Sequence, residues 1–190
     1  MTKIIYLICG RPRMGKTTVG NFIKDFYDKN SSSKCAVTYF SKTLKNYAKD
    51  YFGWDGSPET KPRELLQYMG TDYIRNKLGK TDFVIKRTLE DIEILSSFFT
   101  IFVVDDTRFP MEIETCKELA KNVVSIKVER PNFDSDELTI EQKNHEVETS
   151  LDNYQKFDYI IINDGSLEDL EKKTIKIIGE IEKNMETADF

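Results

Sequence analysis

Eight consecutive residues, Gly10-Arg-Pro-Arg-Met-Gly15-Lys16-Thr17, fit the spacing GxxxxGK(S/T) without a mismatch. That spacing suits the holding of phosphate. Gly10 and Gly15 permit torsions and close approach that a side chain would block, so successive N–H groups can surround an anion. Lys16 brings a point charge to the β- and γ-phosphates of a nucleotide, and the Thr17 hydroxyl is a magnesium ligand. Arg13, Met14 and Thr18 complete the stretch expected to touch the nucleotide. Magnesium also needs a carboxylate. Asp105 and Asp106 stand at the end of the strongest strand-like run in the chain, residues 98–104. A carboxylate there faces the phosphate loop if the two strands are neighbours. At least one of the pair is read as a metal ligand, the alternative being a cap on the helix that Pro110 opens.

Arginine is scarce: seven of the 28 basic residues, at positions 11, 13, 63, 75, 87, 108 and 130. Lysine serves solubility on such a surface, so each arginine raises the question of which anion its planar fork meets. Arg11 and Arg13 lie in the phosphate loop. Arg108 follows the Asp pair, and Arg130 stands at the entrance of a polar, acidic, aperiodic segment, 130–148, read as a mobile loop or lid. Arg75 and Arg108 are expected to contact phosphate, and Arg87 to form a surface ion pair.

The elements that must position these groups alternate between strand and helix periods. Residues 4–9 are a continuous apolar run, as in a strand buried on both faces. Val19, Phe22, Ile23, Phe26 and Tyr27 then form one helical stripe. Residues 36–40 read as a second strand, and Ser41 as the cap of a helix stopped by Gly53. Two helices follow, one with Pro62 in its first turn and running to about residue 78, the other capped by Asp82. After the strand at 98–104 come the Pro110 helix, an alternating strand on Val124, Ile126 and Val128, and a last strand at 159–162. Ser166 and Asp169 form a capping box for the final helix. This order implies an α/β fold, a mostly parallel sheet covered on both faces in one P-loop domain. Its core would be about 1–52 and 98–190, with helices inserted at about 53–97.

Composition narrows the field further. The 190 residues carry 28 basic and 33 acidic side chains, a net charge of −5, and the pI is about 5.1. That balance argues against a main role in gripping nucleic acid or an anionic membrane. No apolar run reaches the length of a membrane span, and the apolar start is too short for a signal peptide, so a cytoplasmic location is expected. Cys9, Cys35 and Cys116 are odd in number and far apart. They read as reduced core thiols, with neither a disulfide nor a zinc site. His145 is the only histidine, which rules out multi-histidine metal centres and argues against a serine–histidine–aspartate triad.

Longer segments carry a family resemblance. Residues 63–75 (RELLQYMGTDYIR) and 103–112 (VVDDTRFPME) resemble the deoxynucleoside monophosphate kinases of phage and bacterial type. So do HEVET from His145 and IIINDGS from Ile160 to Ser166, in the same order. Animal phosphomevalonate kinases have a similar layout. The resemblance implies a nucleoside-monophosphate-kinase fold with five parallel strands, an acceptor-binding helical region and a lid. It implies phosphoryl transfer from ATP with magnesium to a small nucleotide, most simply a (deoxy)nucleoside monophosphate, through Lys16, Arg108 and Asp106. Gly10–Thr18 would bind ATP, with Asn163 and Gly165 near the adenine. Arg63, Gln67, Arg75, Arg108 and Arg130 would serve the acceptor. Alternatives are another small phosphorylated acceptor, phosphomevalonate-like, or a nucleotide-binding regulatory module; a homodimer stays open. Family members often carry tryptophan at the place of Phe83 and asparagine at that of Met111. An acceptor phosphate with a second pKa of about 6 is already a nucleophile at neutral pH. His145 is therefore read as tied to Glu148 or exposed, and not as a general base.

Overall fold

The computed structural model describes residues 3–30, 33–131, 133 and 145–188. Residue 132 and residues 134–144, the greater part of the expected lid, lie outside the described residues, Lys143 among them. The strands are β1 (Ile4–Cys9), β2 (Cys35–Thr38), β3 (Ile101–Thr107), β4 (Val123–Glu129) and β5 (Tyr159–Ile162). The helices are α1 (Lys16–Asn30), α2 (Lys42–Phe52), α3 (Arg63–Gln67), α4 (Phe83–Leu95), α5 (Pro110–Leu119), α6 (Glu146–Thr149) and α7 (Leu167–Ala188). α3 runs on directly into a π-helix, Tyr68–Lys77.

All pairings are parallel and the order is β2-β3-β1-β4-β5. β1 is central, and every one of its residues is buried. Its side chains alternate between two cores. Ile4, Tyr6 and Ile8 pack with Val19, Ile23 and Tyr27 of α1 and with Ile178 and Ile181 of α7. Ile5, Leu7 and Cys9 pack with Ile85 and Ile92 of α4 and with Ile113 and Cys116 of α5. An unbroken apolar run is what a strand flanked by helices on both faces requires. The Tyr6 and Tyr27 hydroxyls, buried in the first core, satisfy one another at 2.7 Å. All three cysteines are buried free thiols, and burial pushes Cys35 and Cys116 up to about 12. No helix among the described residues is long and apolar enough to cross a membrane.

Several boundaries differ from the periodicity for local reasons. The apolar run at 98–104 is not all strand. The Phe98 and Phe99 N–H groups donate to the Leu95 carbonyl and close α4, so β3 begins at Ile101 and includes both Asp105 and Asp106. β2 stops at Thr38, and the Phe40 N–H goes to Asp106 instead of the sheet. Ser41 precedes α2, but its hydroxyl donates to Asp106 at 2.6 Å and makes no cap. Asp82 precedes α4, and its carboxylate takes the Lys86 ammonium at 2.6 Å instead of a backbone N–H. Pro62 stands just before α3, its carbonyl accepting from Leu66.

Other signals hold. Gly53 ends α2 at φ 72°, where the Trp54 N–H reaches back to the Ala48 carbonyl. Ser166 and Asp169 exchange the capping-box bonds, Asp169 N–H to Ser166 Oγ and Ser166 N–H to Asp169 Oδ2. The chain's one tryptophan, Trp54, is half-buried; its indole N–H donates to the Ser57 carbonyl and the Lys49 ammonium lies 5.5 Å from its ring.

Candidate functional site

β1 delivers the chain to the carboxyl edge of the sheet, and α1 starts at Lys16, so residues 10–15 turn between them. Gly10 takes φ +134°, and a Cβ there would lie 2.5 Å from the Val128 carbonyl oxygen of β4. Gly15 takes φ +103°, and a Cβ there would lie 2.8 Å from Asn163 Nδ2. Arg13 adopts φ 60°, an uncommon torsion for a side-chain-bearing residue. This is a cradle of backbone N–H groups at a helix N-terminus, a fit for polyphosphate.

The Lys16 ammonium is buried and donates to the Arg11 carbonyl at 2.7 Å. Burial first, then the Arg108 guanidinium, push it down to about 7, while Glu148, Asp106 and Asp105 act the other way. Asn163, at the end of β5, donates its side-chain N–H to the Met14 carbonyl at 2.9 Å and braces the loop from beneath. Arg11 makes a two-point ion pair with Asp152. Thr18 is half-buried on α1. Gly165 is exposed in the turn before α7, against Asp169.

The two adjacent aspartates part company. The Thr17 hydroxyl donates to Asp105 Oδ2 at 2.9 Å, because β1 and β3 are neighbours and their ends meet. Burial and the neighbouring Asp106 hold the Asp105 carboxyl above its usual range. Asp106 accepts from the Phe40 N–H at 2.7 Å, the Ser41 N–H at 3.1 Å and the Ser41 hydroxyl at 2.6 Å, so both its oxygens anchor the β2–α2 connection. A hydroxyl and a carboxylate in contact form a hard-oxygen pair that suits magnesium. Among the described residues no group of three or more His, Cys, Asp or Glu could hold a metal alone. The remaining ligands have to be phosphate and water, as this cation prefers.

Next to the loop, a cleft is lined by Arg63, Gln67, Arg75, Asp106 and Arg108, together with Ser41, Lys45, Lys61, Thr71, Phe109, Glu112 and Glu148. Arg63, Gln67, Thr71 and Arg75 recur every four residues. In an α-helix each such step drifts about 40°, so three steps would turn Arg75 about 120° away from Arg63. The π-helix closes on bonds five residues apart, such as Leu78 N–H to the Tyr73 carbonyl at 2.8 Å, and turns less per residue. The drift reverses and all four side chains keep one face. Arg75 lies over the Phe109 ring at 3.7 Å, and its Nε is buried with no hydrogen-bond partner. Glu112 is buried on α5, where it accepts from the Arg108 and Phe109 N–H groups; burial pushes it up to about 7 against those bonds. Its nearest approach to Arg75 is 3.7 Å. The pocket is thus cationic, with one arginine donor aimed at nothing.

Arg108 donates to Glu148 of α6. Arg130, at the end of β4, is exposed and lies over the Phe133 ring at 4.4 Å; it does not line the cleft. His145 joins Glu148 through the backbone, the Glu148 N–H reaching the His145 carbonyl at 2.8 Å. Arg87 pairs with Glu90 at the surface, as expected. Lys45, Lys61, Glu112 and Asp152 were not evident from the sequence. Only Glu112 had a signal, a carboxylate at the third position of a helix opened by proline.

A family model described as deoxynucleotide monophosphate kinase matches residues 57–174, which takes in the cleft apart from its α2 side, the Asp pair and Asn163 but not the phosphate loop. The deoxynucleotide monophosphate kinase of Escherichia phage RB69 is 33% identical over 116 residues, 61% of this chain and 44% of that protein. The chain thus spans less than half of that relative. A putative deoxynucleotide monophosphate kinase of Acanthamoeba polyphaga mimivirus is 24% identical over 199 residues, covering 90% of this chain and 94% of that one. Among solved structures, a sugar kinase from Janibacter sp. superposes with a TM-score of 0.52 at 11% identity, over 93% of this chain and 94% of that chain. That likeness concerns the fold alone.

Proposed function

The chain belongs to the deoxynucleotide monophosphate kinase family, and we propose that it moves the γ-phosphoryl group of ATP onto the phosphate of a deoxynucleoside monophosphate, giving the diphosphate and ADP. The observation that carries this reading is the pairing of two anion sites at one sheet edge. A phosphate cradle headed by Lys16 adjoins a cleft where the buried Arg75 Nε has no partner and Arg108 lies near Lys16. A module that only bound a nucleotide would need no second cationic cleft.

The chain's own groups divide the work. The loop N–H groups and Lys16 hold and neutralise the donor polyphosphate. Thr17 and Asp105 hold the magnesium ion, which supplies charge neutralisation on the phosphates when bound. Asp106 keeps α2 and the cleft wall in place through Phe40 and Ser41. Arg75 and Arg108 orient the acceptor phosphate, whose own oxygen is nucleophilic enough to need no base. Catalysis then rests on alignment and charge stabilisation.

The test is ADP formation from Mg-ATP with a panel of deoxynucleoside and nucleoside monophosphates and phosphomevalonate. The expected result is turnover with one or more deoxynucleotides that falls by about 10³ or more in Lys16→Ala. Turnover with phosphomevalonate alone transfers the site to another phosphorylated acceptor. No turnover with any acceptor overturns the kinase reading.

A further inference from the structure

Arg108 belongs to two places at once. It lines the acceptor cleft and it lies near enough to Lys16 to lower that lysine's proton affinity. Its guanidinium is paired and partly shielded: Nη1 donates to Glu148 Oε2, with 22% of the Arg108 side chain and 12% of that of Glu148 accessible. Glu148 sits on α6, and the turn after it carries Asp152, which grips Arg11 of the phosphate loop at two points. One short segment therefore places a carboxylate on the acceptor side and another on the donor side.

We infer that Glu148 stands in for the acceptor phosphate and thereby selects the acceptor over water, an inference that rests on the phosphoryl-transfer reading above. A guanidinium binds carboxylate and phosphate through the same fork. While Glu148 holds Arg108, that cation is neutralised and cannot stabilise charge developing on the transferring group. Water carries no charge and does not displace a carboxylate. A phosphate dianion does, because it brings more charge and more acceptor oxygens to the same donor. Arrival of the true acceptor thus frees Arg108 at the moment it is needed. In its absence, attack of water on the γ-phosphorus, which breaks the bridging P–O bond to give ADP and inorganic phosphate, lacks its arginine. The apparent dissociation constant of the acceptor is meanwhile raised by the inverse of the fraction of molecules in which Arg108 is free of Glu148.

Glu148→Gln keeps the shape and removes the charge. Two readouts are taken beside the parent: binding of inorganic phosphate and of each deoxynucleoside monophosphate by calorimetry, and ADP formation from Mg-ATP with and without acceptor. The expected result is about tenfold tighter anion binding and about tenfold faster acceptor-free hydrolysis. A merely structural brace gives the opposite sign, weaker binding and slower turnover, and that result overturns the inference, as does no change in either quantity. Absence of turnover in the parent with every acceptor defeats the kinase reading, while the phosphate-binding arm still decides whether Glu148 competes with an anion. If Glu148→Gln does not fold, Glu148→Asp, which shortens the reach and keeps the charge, is expected to move both readouts in the same direction by a smaller factor; unchanged values there overturn the inference.

Discussion

Asp105 and Asp106 are adjacent in sequence yet their hydrogen bonds run to different parts of the molecule, one to Thr17 and one to Phe40 and Ser41. Asp105→Asn is expected to raise the magnesium concentration needed for half-maximal turnover and to cut kcat by a factor on the order of 10²–10³. Asp106→Asn is expected to lower stability by about 1–3 kcal/mol through its weakened backbone anchors while leaving the magnesium requirement near that of the parent. Magnesium titrations and denaturant melts on the two variants check the division. Lys16 carries a pH consequence. Its folded pKa of about 7 lies below the ordinary 10.5. The unfolded chain therefore binds more protons between those values, and the contribution of Lys16 to stability is largest above pH 10.5 and is lost as pH falls towards 7. A polyphosphate beside the ammonium favours the charged form and raises the pKa again. Nucleotide binding at pH 8.5 is thus expected to take up close to one proton, seen by calorimetry in buffers of different ionisation enthalpy. Lys16→Met is expected to abolish the uptake.

The π-helix supplies Gly70, Thr71 and Arg75 to the wall of the cleft, and Gly70 lets it approach α2. A Cβ at Gly70 would lie 2.9 Å from Leu44 Cδ1, the end of a side chain that can turn aside for a methyl group but not for a branched one. Gly70→Val is expected to cost about 1–3 kcal/mol by overpacking and to raise the acceptor KM while the ATP dissociation constant holds; Gly70→Ala is expected to be milder in both. Steady-state rates against acceptor, with nucleotide binding measured separately, check this. Much of the element order was legible in the sequence, since a strand buried on both faces or a helix with one apolar stripe declares its period. β5 and the Ser166–Asp169 box follow from local pattern alone. The π coil did not, because its four-residue recurrence looks like an ordinary helix until the bonding is known. Ser41 and Asp82 look like caps by type, but stronger tertiary and i,i+4 partners claimed them. The Arg108–Glu148 and Arg11–Asp152 pairs join residues 40 and 141 positions apart, separations at which a sequence carries no pairing signal.

At the scale of the molecule, β1 belongs to both cores, so neither face can melt alone. Leu7→Ala opens the core under α4 and α5, and Ile8→Ala the one under α1 and α7. Each is expected to cost about 2–5 kcal/mol and to leave a single transition, the same by circular dichroism and by a tertiary probe. Trp54 can be that probe. As the chain's one indole, fastened to Ser57 and flanked by Lys49, it sits in the connection between α2 and α3. Its emission is therefore a native optical signal from that connection, free of any attached dye. Followed in a stopped-flow instrument, it would time the response of the α2–α3 connection to ligand separately from the chemical step.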